Sequence, residues 1–238
     1  MPVLLLAQGD AAAKDMLRRA IEARYGPRPP ALDRLQIDFK GRSRFKVGPV
    51  MAWVPVDVVA YFSFPTAMRW DFIAKPLKLP VQRGIEAYDG TTYRSLRGGK
   101  APNTIDDPAA ASAIRQRLWA VASVMLTPLS DLFVRLEQVA DNGLRATNTQ
   151  LGDFADIYLR PDDTIDHVRV HCLNPDSGRT QDFIVRTSPE QKPVDDLLVP
   201  EKLTMLWDEE PTIELTPVQA RINPELPPAL FSLEEAPV

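Results

Sequence analysis

Residues 35–47 (LQIDFKGRSRFKV) alternate apolar and polar side chains over most of their length. Leu35, Ile37, Phe39, Phe45 and Val47 fall on one side, and Gln36, Asp38, Lys40, Arg42, Arg44 and Lys46 on the other. A period of two belongs to extended backbone. A strand polarised in this way has one face in water and one buried. Gly41 and Ser43 interrupt the apolar side; they mark a bend, or room for something to approach the sheet. The next segments keep the period. Val56, Val58, Ala60, Phe62 and Phe64 form one face of a strand over 56–64, and Met68, Trp70, Phe72 and Ala74 one face of a strand over 67–74.

Further strands are predicted at 83–88, 91–97, 132–139, 144–150, 154–160, 165–173, 181–187, 202–207 and 212–222. Between them lie Asp89-Gly90, a two-residue hairpin signal, Asp141-Asn142-Gly143, Pro161-Asp162-Asp163, Asn174–Gly178 and Asp208–Pro211. Short turns dictate antiparallel pairing, because parallel strands need long crossovers. Two helices are predicted. Residues 11–25 place Met16, Leu17, Ala20 and Ile21 at helical spacing and end at Gly26-Pro27. Asp107-Pro108 starts the second as an N-cap acid followed by proline, and it runs to Leu126, before Pro128. Its second half, Leu118–Leu126, is apolar almost all round, so it must be buried on more than one side or face a greasy ligand. The fold expected is α+β, mainly antiparallel β, in one domain.

A net charge of −4 gives no basic imbalance that would point to nucleic acid. Hydrophobic residues make up 45%, enough for a sizeable core, and 23 prolines favour many short elements. The single cysteine, Cys172, excludes an internal disulfide. No apolar run is long enough to cross a membrane as a helix. Residues 1–10 open with Pro2-Val3-Leu4-Leu5-Leu6-Ala7 before Gln8-Gly9-Asp10. They read either as an apolar lead-in to the first helix or as the remnant of a secretory signal peptide that lacks a basic start.

No motif of nucleophile elbow, zinc protease, phosphate loop or dinucleotide binding occurs. His167 and His171 share a strand face about 13 Å apart, too far to share one metal ion; they read as surface imidazoles beside Arg169. Cys172 falls on the opposite face with Val168 and Val170, as a buried thiol. Acid pairs such as Asp106-Asp107, Asp162-Asp163 and Glu209-Glu210 sit at turns, where solvation explains them. The basic row Lys40, Arg42, Arg44, Lys46 reads as a solvated strand face, with an anionic surface as the alternative. No metal, cofactor or catalytic residue is expected. The large apolar side chains Phe39, Phe62, Trp70, Phe72, Trp119, Met125 and Trp207 lie on predicted inward faces, where they form a core or line a hydrophobic cavity.

The order of segments carries a resemblance. A helix leads into a strand with a glycine bend; then come Met68-Arg69-Trp70 and Ala87-Tyr88-Asp89-Gly90-Thr91-Thr92-Tyr93. The chain closes with Pro200-Glu201-Lys202-Leu203 and with residues 222–231, Ile-Asn-Pro-Glu-Leu-Pro-Pro-Ala-Leu-Phe. Over residues 11–233 the sequence resembles the LolA-like superfamily of periplasmic lipoprotein carriers and outer-membrane lipoprotein-sorting proteins. The resemblance implies a strongly curved, unclosed antiparallel barrel whose concave apolar face is covered by helices, with residues 234–238 a C-terminal tail. It implies that the seven apolar residues line a cavity, that helix 108–126 is its lid, and that Arg69 holds the lid shut. Residues 98–130 and 132–151 depart from LolA itself, so the expectation is a general lipid-binding member.

The expected function is non-catalytic: binding or transport of a lipid or lipoprotein acyl chain, in the periplasm or cell envelope, by a monomer that also meets envelope membrane proteins. The alternative is an envelope sensor or scaffold that uses the same fold to bind a protein partner. An enzyme with an unrecognised acid pair is the third reading.

Overall fold

The structure is a computed structural model and describes residues 6–47, 49–75, 82–98, 101–175 and 177–233. Residues 1–5 and the tail 234–238 lie outside the described residues, as do the side chains of Lys46 and Val47. Three helices are described: α1 (Ala11–Tyr25), α2 (Pro108–Ser123) and α3 (Ala229–Ser232). The first half of the chain supplies β1 (Gln8–Gly9), β2 (Arg34–Val47), β3 (Val50–Ser63), β4 (Ala67–Ala74), β5 (Gln82–Tyr88), β6 (Tyr93–Arg97) and β7 (Asn103–Thr104). The second half supplies β8 (Val134–Ala140), β9 (Gly143–Asn148), β10 (Phe154–Leu159), β11 (Ile165–Leu173), β12 (Thr180–Thr187), β13 (Gln191–Val194), β14 (Leu197–Pro200), β15 (Leu203–Trp207) and β16 (Glu210–Ile222).

Fourteen of these strands form one sheet, in the order β1-β8-β9-β10-β11-β12-β15-β16-β2-β3-β4-β5-β6-β7. Every pairing is antiparallel except that of β1 with β8. The sheet is unclosed, with β1 and β7 at its edges. Its two wings, one from each half of the chain, are joined by β16 on β2, where Leu215 pairs with Gly41 and Pro217 with Phe39. A Cβ at Gly41 would stand 1.9 Å from the Glu214 carbonyl oxygen, so the close approach at this seam requires glycine.

The sheet is curled. Asn148, at the end of β9, donates from Nδ2 to the Pro65 carbonyl at 3.1 Å, between β3 and β4. β9 and β3 stand seven interstrand steps apart, about 34 Å in a flat sheet. One face carries the core: Leu35, Ile37, Phe39 and Phe62 on one wing, and Leu136, Leu144, Ile157 and Val168 on the other, all at most 1% exposed. The opposite face is polar and cross-paired. Arg42 meets Glu214 at 2.9 Å, Arg145 meets Asp156 at 2.7 Å, and Arg44 pairs with Glu210. Arg42 and Arg44 of the basic row are therefore balanced by acids of β16.

Helix α1 packs on β8 and β9 with Met16, Leu17, Ala20 and Ile21, and α2 packs on β10, β11 and β12. Asp107 caps α2, accepting from the Ala109 amide at 2.9 Å. The predicted helix end at Leu126 is three residues too late: Val124, Met125 and Leu126 donate to carbonyls three residues back, so the last turn tightens and leads into a 3-10 turn at Thr127–Ser130. The ends of the two helices meet, Arg24 donating to the Val124 carbonyl and the Tyr25 hydroxyl to that of Met125.

Other differences are local. β3 begins six residues before the predicted 56. Pro55 is admitted there because its carbonyl accepts from Lys75, placing its missing N–H on the same side, just past the end of β4. The hairpin β13–β14, with Pro193 and Pro200, was not expected. Residues 8–9 of the apolar lead-in pair with β8, and Ala7 is buried. The turn after β5 holds four residues, Asp89–Thr92, not two, because Tyr88 pairs with Tyr93 and the Asp89 carboxylate accepts from the amides of Thr91 and Thr92 at 2.9 and 2.8 Å.

Burial alone would raise the Asp89 carboxyl, but these amides, the Thr91 hydroxyl and Arg94 outweigh it and bring it down to about 2. A depressed carboxyl stabilises the fold above its unfolded value near 4, and that contribution fades as pH falls toward 2. The melting-temperature gap between wild type and Asp89→Ala is therefore expected to be full at pH 6 and to shrink between pH 4 and pH 2. Asn148→Ala removes the tie between the wings and the acceptor for the Gln150 and Leu151 amides. Urea unfolding should show a loss of about 2 kcal/mol.

Candidate functional site

The apolar face of the sheet and the helix standing on it form the candidate site. Six of the seven side chains singled out from the sequence come from this face or from α2, and Met125 comes from the turn just after it. Five belong to one buried cluster, and Trp70 and Phe72 pack against it. Phe39 is 1% exposed and its ring lies 6.1 Å from that of Trp70, tilted by 29°. Phe62 stacks on Phe64 at 5.6 Å. The tip of the Phe72 ring lies against Gly84, where a Cβ would come within 2.2 Å of it. From α2, Trp119 turns its edge to Phe133 at 6.2 Å and donates from Nε1 to the Ala146 carbonyl at 2.8 Å. Trp207 packs on Phe183 at 5.1 Å. Trp70 and Phe72 are only half-buried, although they continue the row of Phe39 and Val58.

Arg69 is elsewhere. It lies on the opposite face of β4, buried, with Nε and Nη2 on the Asp71 carboxylate at 2.6 and 2.9 Å. Its Nη1 donates to the Leu230 carbonyl at 3.0 Å. Its hydrogen bonds thus fasten the C-terminal helix α3, not α2. Arg69, Asp71 and Tyr61 alternate with the inward residues of their strands, which puts them on the side away from the core.

Besides Trp119, the groups that tie α2 were not singled out from the sequence. Arg115 meets the buried Asp153 carboxylate at 2.9 Å and stands 5.9 Å over the Tyr88 ring. Asp153 precedes β10 and Tyr88 ends β5, on opposite wings, so one side chain of α2 spans the curl. Two residues on, the Arg117 guanidinium stands 5.8 Å from the Trp207 ring. A sequence signal existed: two arginines inside a helix whose neighbours are apolar must find partners or water. Their partners lie far along the chain, which no local pattern reveals.

Burial raises the Asp153 carboxyl, and Arg115 offsets part of that. Burial also raises the Tyr93 hydroxyl, with the charge of Glu86 adding to it. The Cys172 thiol, 4% exposed, is pushed up to about 11 by burial. The two histidines sit on the outer face, His167 with Asp166 and stacked on Tyr158, and His171 with Asp182 at 2.8 Å. Among the described residues no three acid, histidine or cysteine side chains converge as a metal site would require.

Clefts open on the surface among the described residues, two of which bear on the site. One, of about 240 Å³, lies where the wings meet, lined by Ile21, Leu32, Phe64, Pro128 and Phe133 among others. The other, of about 430 Å³, lies beside α3 and includes Ser63, Asp89, Leu226 and Phe231. None of the seven apolar residues lines either cleft.

The whole arrangement is found in solved structures. A LolA superfamily protein from Nitrosomonas europaea superposes with a TM-score of 0.51 at 13% identity, over 93% of this chain and 98% of that one. A candidate outer membrane lipoprotein-sorting protein domain from Vibrio parahaemolyticus superposes with a TM-score of 0.50 at 10% identity, over 93% and 97% of the two chains. The fold is LolA-like. No protein-family model and no curated protein matches the sequence. The LolA-like likeness spans 93% of the chain, and side chains of β13, β14 and β16 share the main buried cluster.

Arg115→Met leaves the Asp153 carboxylate buried without its cation. A loss of about 2–3 kcal/mol at pH 7 is expected. An acid with a raised folded value favours the protonated form, so the deficit should narrow as pH falls through that value. Urea midpoints of both proteins at pH 7 and pH 4 check the magnitude and the sign.

Proposed function

We propose that this chain is a non-catalytic carrier of the bacterial cell envelope, which binds a lipid or lipoprotein acyl chain against the apolar face of its sheet. The observation that carries this reading is the partial exposure of Trp70 and Phe72. They are large aromatics on the core side of the sheet, in register with the buried Phe39 and Val58, and α2 leaves them partly uncovered. In this reading α1 and α2 cover the concave face of a half-barrel, and α2 acts as the lid. Phe39, Phe62, Trp70, Phe72, Trp119, Met125 and Trp207 line the apolar space that opens when α2 moves. Transfer of an acyl chain from water to that space is worth about 0.8 kcal/mol per buried methylene. The lid is held by Arg115 rather than by Arg69, whose bonds secure the C-terminal helix. The names of the two solved neighbours support an envelope setting, and the carrier works as a monomer spanning residues 11–233.

A second reading, an envelope sensor or scaffold, has its own support. Val50, Met51 and Trp53 at the tip of the β2–β3 hairpin are 59%, 54% and 37% exposed, an apolar tip suited to a protein partner or an envelope membrane protein.

Native mass spectrometry and titration with a dansyl-labelled acyl chain separate the two. The carrier is expected to copurify with a lipid mass, and the delipidated protein to bind the probe with energy transfer from Trp70 and Trp207. Trp70→Ala should weaken binding several-fold while the protein stays folded. A lipid-free protein with no affinity for the probe would sink the carrier reading and leave the scaffold.

A further inference from the structure

The α2 helix carries two arginines, Arg115 and Arg117, on different sides of the helix, and only Arg115 pairs with an anion. Arg115 has Asp153. Among the described residues Arg117 makes neither an ion pair nor a hydrogen bond, and its Nε is buried without an acceptor. Its guanidinium is held 5.8 Å from the Trp207 ring, on the strand that faces β12 across the Phe183–Trp207 pair. Its charge is also felt at the Cys172 thiol of β11 and at the Tyr93 hydroxyl of β6. Tyr93 belongs to one wing, and Cys172 and Trp207 to the other. Arg117 therefore stands inside the curl, between the wings, at the level where α2 crosses from one to the other. On β6, Arg97 adds a second cation on the same face as Tyr93, paired with Glu86 at 3.2 Å.

A guanidinium presents a fork of donors matched to a carboxylate or phosphate, and a buried N–H without an acceptor is a cost that a bound anion removes. The outer arginines need no such partner: Arg42, Arg44, Arg145 and Arg169 all have acids. The indole of Trp207 gives a greasy approach to a charged end, which suits an amphiphile rather than a free ion.

We propose that Arg117 is an anion anchor, and that the ligand of the apolar face is an amphiphile with a negatively charged head, a carboxylate or phosphate, whose chain lies toward Trp70 and Phe72. This rests on the carrier reading and narrows it. A neutral acylated cargo would leave Arg117 unmatched, whereas an acidic lipid satisfies it.

The test compares palmitate, methyl palmitate and acetate, each below its aggregation limit, by displacement of a neutral acyl probe from delipidated wild type, Arg117→Gln and Arg117→Lys. Wild type is expected to prefer palmitate to its methyl ester by about tenfold or more, the scale of one charge-assisted hydrogen-bonded contact. R117Q should lose that preference by weakening the acid and not the ester, and R117K should keep part of it. Acetate should not displace the probe. Equal affinity of wild type for acid and ester overturns the anchor and leaves the carrier reading standing. An equal loss of both ligands in R117Q overturns it too, by showing a packing role. Failure of all three ligands and the probe to bind removes the anchor together with the carrier reading. The wild-type comparison of acid with ester decides the question even if R117Q does not fold.

Discussion

Everything in this molecule depends on the antiparallel seam between β2 and β16. Those strands come from opposite ends of the chain, residues 35–43 against 213–222. Without that ladder the chain would be two sheets, β2–β7 and β1 with β8–β12, β15 and β16, each with a long bare edge. Hydrogen bonds of the ladder, Leu215 and Phe39 on one face, and the Arg42–Glu214–Lys202 cluster on the other tie it together. Gly41 lets the strands approach there: a side chain would meet the backbone of β16. The seam is costly in loop-closure entropy, since it joins residues some 170 positions apart, so its contacts form against a large opposing term.

A fourteen-stranded sheet with one apolar face cannot stay flat in water. Curling brings that face toward itself, and the Asn148–Pro65 bond shows how far the wings travel. The unclosed edges are blunted by β1 and β7, each only two residues long, which offer little template for another chain. Two helices of 15 and 16 residues then meet a face larger than they can cover. Both settle on the wing of β8–β12. The β2–β4 part of the apolar face is filled from above only in part, and its outermost row, Trp70 and Phe72, keeps contact with solvent.

Period-two alternation made most of the sheet legible, because a strand with one wet face writes its burial into every second residue. β4 lies at 67–74 as the pattern indicates, and α1 at 11–25. What the pattern missed has physical causes. Pro193 and Pro200 mask β13 and β14, which form a separate two-stranded ribbon and so escape the hydrogen-bond cost that proline carries in a central strand. β1 and β7 are too short to show a period. At the site, the apolar set was readable one residue at a time, whereas the polar ties were not. Arg115 and Asp153 are 38 residues apart, and Arg117 meets the Trp207 ring of a strand far along the chain. Arg69 illustrates the converse: the residue stood out by its motif, but only the three-dimensional structure shows that its bonds end at Leu230.

The distribution of charge bears on how α2 could move. Many acid–base pairs of the outer face, such as Arg42–Glu214 and Arg44–Glu210, are exposed enough to contribute little, whereas α2 is fixed by few polar contacts: Asp153 on Arg115, and the indole N–H of Trp119 on Ala146. The rest of its attachment is apolar area. Apolar attachment is not specific to the helix; any saturated chain of similar length presents the same kind of surface. A sixteen-carbon chain buried in full is worth about 12 kcal/mol gross at about 0.8 kcal/mol per methylene. In the proposed carrier, the polar ties to be broken on moving α2 amount to only a few kcal/mol. There the exchange of α2 for an acyl chain would trade one apolar surface for another, and the polar groups would tip the balance. Asp153 would favour the closed position through Arg115. Arg117, whose Nε has no acceptor when the helix is down, gives the closed state no matching return.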